Sequence, residues 1–431
     1  MSETIYALSS GALPAGIAVI RISGPRAFAA VATLVGELPP PRRASLRTLR
    51  RDGEPLDRAL VLVFPGPATA TGEDLAELHL HGGRAVVRAV EAALAALPGL
   101  RGAEPGEFTR RALAHGRIDL TEAEGLGDLL AAETEMQRRT ALRAAEGGVR
   151  AQIEGWATSA LRLSALIEAM LDHGDEEDVA AEGDVLDAVA RDADLLAVAI
   201  EAAIAQPPVE RVRDGIRIVL AGSPNAGKST LLNALAGREA AIVSPLAGTT
   251  RDRIEVPVMR DGVAYLLTDT AGLNETPADM VEEIGIARAR SAIETADLVL
   301  WLDDGPPSVE VAAVNHLLIR PRIDEPGRGR PVDARHSVSA ATGQGIEALW
   351  TMIGGVAATL LPPSDAVALN ARQRGLAGQA ASALRRAARE RDALLVAEEL
   401  RTALRAFHRV TGAADVEAML DTLFGRFCIG K

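Results

Sequence analysis

The stretch GSPNAGKS at 222–229 has the spacing G-x-x-x-x-G-K-[ST], set between an apolar run, IRIVLA at 216–221, and TLLNAL at 230–235. Strand, glycine-rich loop and helix in that order make a cradle for phosphate. The glycines let backbone N–H groups turn inward, and the helix beginning there adds its positive end. Asn225, Ala226, Gly227 and Thr230 are expected to line the nucleotide, Lys228 to reach the β- and γ-phosphates, and Ser229 to ligate magnesium. DTAG at 269–272 follows a second strand-like run about 40 residues later. There Asp269 is expected in the magnesium shell, Thr270 and Ala271 beside the phosphates, and Gly272 with its N–H on the γ-phosphate. GTTRD at 248–252 lies between the two, where Thr250, or its neighbour Thr249, supplies a second magnesium hydroxyl. The loop 238–249 is expected to close over the nucleotide as a switch. The chemistry these residues can do together is phosphoryl transfer.

The base is read from two further stretches. Guanine offers N–H edges that a carboxylate can accept, and the usual arrangement is Asn-Lys-x-Asp after a strand. Here HLLIRPRIDEP keeps the aspartate, Asp324, without the asparagine and lysine. SVSAATGQG at 337–345 places Ser339 and Ala340 near the guanine oxygen. Guanine is therefore expected over adenine.

The chain around these motifs has 431 residues, 48% of them apolar, enough for two to four domains with cores of their own. Cys428 is the one cysteine, so neither an intramolecular disulfide nor a cysteine-rich zinc site can form, which suits a reducing cytoplasm. No signal peptide and no membrane-spanning run is expected. The net charge is -13, but residues 1–118 carry 14 Arg against 11 Asp and Glu, a balance of +3, and the remainder carries -16. A polyanion would favour the first domain. Lys228 and Lys431 are the only lysines, so the phosphate loop keeps a compact ammonium in a chain that otherwise uses arginine.

Strand-like runs at 16–24 and 57–64 and a helical run at 84–97 predict an α+β domain over 1–118. Long amphipathic helices are predicted over 119–210, with glycine breaks near 125–127 and 147–148, an acidic break at 171–178 and a further helix at 184–205. Residues 211–358 alternate strand and helix, as in an α/β Ras-like phosphate-loop domain. Residues 366–424 are helical again, interrupted by a glycine near 412. The economical organisation is an all-α domain, 119–210 and 359–431, split by an inserted GTPase domain.

These pieces in order resemble the tRNA-modifying GTPase family known as MnmE or TrmE. The resemblance rests on GIAVIRISGP at 16–25, ELHLHGG at 77–83, PGEFTRRALAHGRIDLTEAEGLGDLL at 105–130, DTAGLNET followed by EEIGIARA, and GRFCIGK at 425–431. It implies a cytoplasmic homodimer whose first domain dimerises and binds a tetrahydrofolate, 5,10-methylene or 5-formyl, as one-carbon donor. It implies a flavoprotein partner, MnmG, and a product in which the wobble uridine of tRNA carries an aminomethyl or carboxymethylaminomethyl group on carbon 5. It also implies potassium beside the phosphates, held by Asn225 with Ser244, Leu246 and Thr249, and closure of paired GTPase domains on GTP. Carried over position by position, Glu282 (or Glu283 one step on) orients the attacking water. Arg21, His81, Arg110 and Arg117 face folate, and Arg117 stands where relatives often carry lysine. Cys428 is either a nucleophile or proton donor for the carbon 5 chemistry or a buried small residue. Two other classes share parts of the pattern. Ribosome-assembly or RNA-binding GTPases usually add a basic module, and scaffold GTPases would leave residues 1–118 unexplained.

Overall fold

The computed structural model describes residues 3–172, 179–237, 255–270, 289–303, 305–325, 336–363, 366–412, 423–425, 427 and 430. The chain forms two compact units. The first comprises residues 1–127, 144–165 and 397–431, and the second 128–143 and 166–396.

The first unit opens with β1 (Thr4–Leu8), β2 (Ile17–Ser23), α1 (Ala27–Val35), β3 (Ser45–Arg51), β4 (Glu54–Phe64), β5 (Leu75–His81), α2 (Arg84–Ala95), β6 (Leu100–Gly102) and α3 (Glu107–Ala114). The strands make one sheet in the order β3-β4-β5-β2-β1-β6, antiparallel except for β1 beside β6. Alternation along the strands decides which face is covered. Ala18, Ile20 and Ile22 on β2, with Leu78 and Leu80 on β5, bury against Val31 and Leu34 of α1 and Val87, Val90 and Leu94 of α2. Each of the larger side chains contributes roughly 2 kcal/mol on burial. On the opposite face Arg21 stands opposite Glu77, and His79 and His81 follow on β5.

A charged network fastens α3 to this sheet. Glu107 accepts from Arg101 at 2.6 and 2.8 Å, from Arg111 at 3.0 Å and from the Glu104 N–H at 2.9 Å. Arg111 also donates to Glu73 at 2.9 Å, and the fully buried Ser23 hydroxyl donates to Glu73 at 2.8 Å. Two backbone carbonyls of the 66–74 loop are held as well, that of Thr71 by His115 Nδ1 at 2.7 Å and that of Thr69 by Arg117 Nε at 3.0 Å.

Helices α4 (Leu120–Ala131), α5 (Glu135–Ala145), α6 (Gly148–Asp172) and α7 (Val179–Ala205) follow. The glycines at 125–127 do not break α4, contrary to the sequence expectation. A Cβ on Gly125 would stand 2.5 Å from the Ala145 nitrogen, and one on Gly127 would lie 3.2 Å from the Phe427 ring. They are contact points at which backbone and ring come close. The helix ends instead before Thr134, whose hydroxyl accepts from the Gln137 N–H that opens the next helix.

After α8 (Glu210–Arg213) the second unit builds β7 (Ile216–Ala221), α9 (Lys228–Ala236), β8 (Glu255–Arg260), β9 (Val263–Asp269), β10 (Leu298–Leu302), α10 (Val309–Ala312), β11 (His316–Arg320), β12 (His336–Ser337) and α11 (Ile346–Leu360). Its sheet runs β12-β11-β10-β7-β9-β8, parallel throughout except for the β8–β9 hairpin. Both faces are covered, which accounts for strands that read as unbroken apolar runs. Ile218, Leu220 and Leu300 pack on one side with Leu231 and Leu235 of α9 and Leu349 and Ile353 of α11. Val219, Ala221 and Val299 pack on the other with Ala292, Ile293 and Val311.

The chain ends in α12 (Ala371–Arg389) and α13 (Ala393–Thr411). These are two helices where the sequence suggested one run up to Gly412. Asn370 opens α12 with a capping box to Gln373, and Asp392 accepts the Leu394 N–H at 2.9 Å to start α13. Alongside α7, Arg385 of α12 pairs with Glu201 at 2.7 Å and with Asp194. Farther on, Phe424 and Phe427 pack with Ala123 in the first unit, and the Ser9 hydroxyl donates to the Gly430 carbonyl at 2.8 Å.

Burial would raise the Glu107 carboxyl, but hydrogen bonds from Arg101, Glu104 and Arg111 outweigh it, so the group titrates below the ordinary value of 4.5. The folded state therefore holds fewer protons on Glu107 than the unfolded chain. Its stabilisation is complete above about pH 5 and is lost as pH falls through the lowered folded value. Glu107→Gln is expected to cost the N-terminal domain about 2 kcal/mol at neutral pH and to flatten its acid sensitivity. Hydrogen exchange in β1 and α3 reads this, and unchanged protection at both pH 7 and pH 4 would show that the network is not supporting the domain.

Candidate functional site

The site lies at the C-terminal ends of the parallel strands of the second unit, where β7 delivers the chain into the loop 222–227. Strand order reverses around β7, the position at which open α/β sheets leave a crevice. The loop turns because its backbone takes conformations that side chains resist. Gly222 has φ 143°, and a Cβ there would stand 2.2 Å from the Leu302 carbonyl oxygen. Gly227 has φ 95° and caps α9 with no side-chain hydrogen bond, so the first N–H groups of α9 face the loop. Asn225 holds φ 61° at the tip, a left-handed conformation that asparagine tolerates.

Inside this turn Lys228 is 6% exposed, and its ammonium donates to the carbonyls of Gly222 at 3.0 Å and Ser223 at 2.9 Å. Burial pulls its pKa below the ordinary lysine value, and the charges of Asp269 and Asp303 act against that pull. Ser229, the next residue, donates its hydroxyl to Asp269. That pair presents two hard oxygen donors side by side, the chemistry that magnesium prefers. Thr270 turns inward, its hydroxyl donating to the Leu220 carbonyl at 2.9 Å, and this fixes the exit from β9.

On the other side of the crevice two of the residues expected at the base come together. Asp324 accepts a hydrogen bond from the Ser339 side chain, which holds its carboxyl below the usual carboxylate range. Ser339 is fully buried, and its N–H donates to the Gln344 carbonyl at 2.9 Å. Ala340 follows on the same turn. One contributor was missed. Asp303, directly after β10, accepts from the Ser223 N–H at 3.2 Å and from the Ser223 hydroxyl, pinning the first turn of the phosphate loop. Its place at the C-terminal edge of a central strand was the available signal.

Other expected residues fall elsewhere. Arg21 donates through Nε and Nη2 to Glu77, the shorter bond at 2.9 Å, and its guanidinium lies 5.9 Å from the Phe108 ring. His81 is exposed, with Nδ1 2.7 Å from Asp57. Arg21 and His81 share one sheet face, four residues apart along paired strands, a separation of about 13 Å. Arg110 lies exposed on α3, and Arg117 follows that helix with its Nε on the Thr69 carbonyl. The structure thus brings Arg21 near α3 through Phe108 and leaves His81 apart. Ser244, Leu246, Thr249, Thr250, Ala271, Gly272, Glu282, Glu283 and Cys428 lie outside the described residues.

Comparison with known proteins follows the same layout. Residues 4–117 match the family described as GTP-binding protein TrmE N-terminus, and residues 120–428 match the MnmE helical domain. The chain is 53% identical to the tRNA modification GTPase MnmE of Novosphingobium aromaticivorans, over the full length of both. The chain belongs to the MnmE family. The MnmE of Rhizorhabdus wittichii is 55% identical, over all of this chain and 97% of the relative, and that of Zymomonas mobilis is 49% identical over the full length of both. No helix among the described residues is long and apolar enough to cross a membrane.

Asp303→Ala is expected to weaken nucleoside diphosphate binding about fivefold by releasing the Ser223 turn, one hydrogen-bonded anchor being worth about 1 kcal/mol. Calorimetry with GDP measures it. Equal affinities would show that the loop holds its shape without this carboxylate.

Proposed function

We infer that this chain is a GTP hydrolase whose Ras-like phosphate-loop domain drives a tRNA modification. The observation that carries the reading is the pairing of two constellations on one sheet edge, Lys228, Ser229 and Asp269 for phosphate and Asp324 with Ser339 for the base. They stand in a chain about half identical, end to end, to tRNA modification GTPases.

The residues divide the work. The Lys228 ammonium leaves the Gly222 and Ser223 carbonyls for the β- and γ-phosphate oxygens, which restore the charge stabilisation that burial removes. The first N–H groups of α9 donate to the β-phosphate. Ser229 and Asp269 would hold a magnesium ion, which when bound would offset charge developing on the phosphoryl oxygens. Asp324, kept ionised by Ser339, accepts the N1 and N2 protons of guanine. With the Ser339 N–H turned to Gln344, Ala340 is the donor left for the guanine oxygen. Asn225 stands at the exposed tip of the loop, where a potassium ion could share its carbonyl oxygen. Its partners there would be Ser244, Leu246 and Thr249, with Thr250 or Thr249 on magnesium and Glu282 on the attacking water.

The wider reading is that two copies of this chain act with the flavoprotein MnmG on tRNA. The modification places an aminomethyl or carboxymethylaminomethyl group on carbon 5 of the wobble uridine, using a tetrahydrofolate one-carbon unit. Supporting it are the full-length similarity and the first domain's arginines. Arg21 keeps Nη1, and Arg117 both Nη groups, beyond the bonds they already make, which suits the carboxylates of a folate tail. Cys428 is the candidate thiol for the uridine chemistry.

Lys228→Ala is expected to abolish GTP hydrolysis, and Asp324→Asn to weaken GTP at least tenfold while gaining xanthosine triphosphate, whose base presents an acceptor where guanine has an amine. Steady-state hydrolysis with both triphosphates, in potassium and in sodium, tests the pair. A deletion strain should lose the modified wobble nucleoside from its tRNA, and an unchanged nucleoside profile would reject the modification role.

A further inference from the structure

The net charge of -13 hides an opposite local balance. Residues 42–58 hold six arginines against Asp52, Glu54 and Asp57, a balance of +3. Residues 1–118 as a whole also balance at +3, so the rest of the first domain is neutral and its excess sits on this one segment. In the fold the segment is the β3–β4 hairpin, with β3 at the edge of the six-stranded sheet. The buried Leu49 and Ala59 mark the inner face, so by alternation Thr48, Arg50 and Arg58 stand on the other. Arg58 lies directly across from Thr48, and Arg50 two residues beyond it. Arg43 precedes the strand, so the cations extend along the edge for about 23 Å.

The nearby acids do not cancel them. Asp57 turns away, accepting the His81 N–H at 2.9 Å and meeting its Nδ1 at 2.7 Å, and its side chain is only 8% exposed. Asp52 and Glu54 lie at the hairpin tip, where Arg51 pairs loosely with Asp52 at 3.6 Å. Arg47 and Arg50 each place one Nη on a backbone carbonyl, of Leu46 and Gly53, both at 3.1 Å. Among the described residues no carboxylate pairs with the guanidinium of Arg43, Arg47, Arg50 or Arg58. Arg43, Arg50 and Arg58 are exposed.

Charges on an edge strand can serve simply to keep other strands off. This cluster goes beyond that need, because Arg58 stands on the second strand and Arg43 lies outside the ladder. We propose that the β3–β4 hairpin binds the ribose-phosphate backbone of the tRNA substrate. Guanidinium forks match phosphate oxygens, and a row of them follows a backbone and orients it without reading bases. The proposal rests on the tRNA-modification reading above and gives that substrate a place on the first domain.

The experiment titrates fluorescently labelled total tRNA from a deletion strain with the full chain, by anisotropy, between about 50 and 200 mM KCl. In R43Q/R50Q/R58Q the affinity is expected to fall at least about tenfold, and the slope of log affinity against log salt to flatten by about two to three. R43K/R50K/R58K should keep most of the affinity, since backbone contacts follow charge. R162Q/R191Q/R405Q, an equal change of charge at exposed arginines elsewhere, should match wild type. GTP hydrolysis without tRNA, unfolding temperature and oligomeric size should agree across all four proteins. Wild-type affinity and slope in R43Q/R50Q/R58Q would overturn the proposal. Aggregation of that variant with tRNA binding intact would make the hairpin an edge guard, and a changed oligomeric size with tRNA binding intact would make it a contact between copies. An equal loss in R162Q/R191Q/R405Q would assign the effect to net charge and overturn it as well. Each of these results leaves the tRNA-modification reading standing, which fails instead if the deletion strain keeps its modified wobble nucleoside.

Discussion

The nucleotide site is organised around a buried ammonium. Lys228 is nearly sealed from water, and its own loop's carbonyls and the fields of two aspartates are what make that tolerable. A cation in that position is under-solvated, so a polyphosphate arriving there gains more than it would from a lysine in solvent. The close pass of Gly222 beneath Leu302, the left-handed tip at Asn225 and the Asp303 anchor on Ser223 all fix the curvature that keeps the ammonium inside. The parallel sheet serves the same end. With both faces covered, the ends of β7, β9 and β10 are held in register, so that Asp269 after β9 and Asp303 after β10 stand beside the loop that leaves β7.

Much of this was legible along the chain. The strand before the phosphate loop runs over the residues that the apolar pattern marked, because a doubly buried strand leaves an unbroken signature. Asp324 and Ser339 were recoverable from their offsets after strands, and they do meet. The misreadings share a cause. Gly125 and Gly127 look like punctuation in one dimension, whereas their purpose lies in three, where another backbone and an aromatic ring press on α4. Likewise the short turn at 390–392 carries no glycine or proline, only an aspartate placed to cap the next helix.

The first unit shows a different balance. Its core is an ordinary sheet-and-helix layer, but the placement of α3 and of the 66–74 loop depends on carboxylates and guanidiniums drawn from three separate segments. Such a network is costly to leave half-made, so it favours one arrangement over near alternatives. Arg117 and His115 then hold the loop by its carbonyls, which couples the backbone near one candidate ligand-facing arginine to the placement of α3.

The seat of Gly430 beside β1 has a temporal side. Ser9 and Gly430 are 421 positions apart in sequence, yet the glycine fits where a side chain would collide with the Leu8 carbonyl oxygen. At translation speeds of roughly 5–20 residues per second, the opening strand emerges tens of seconds before the segment that completes its surroundings. Through that interval the Ser9 hydroxyl waits for its partner carbonyl on Gly430.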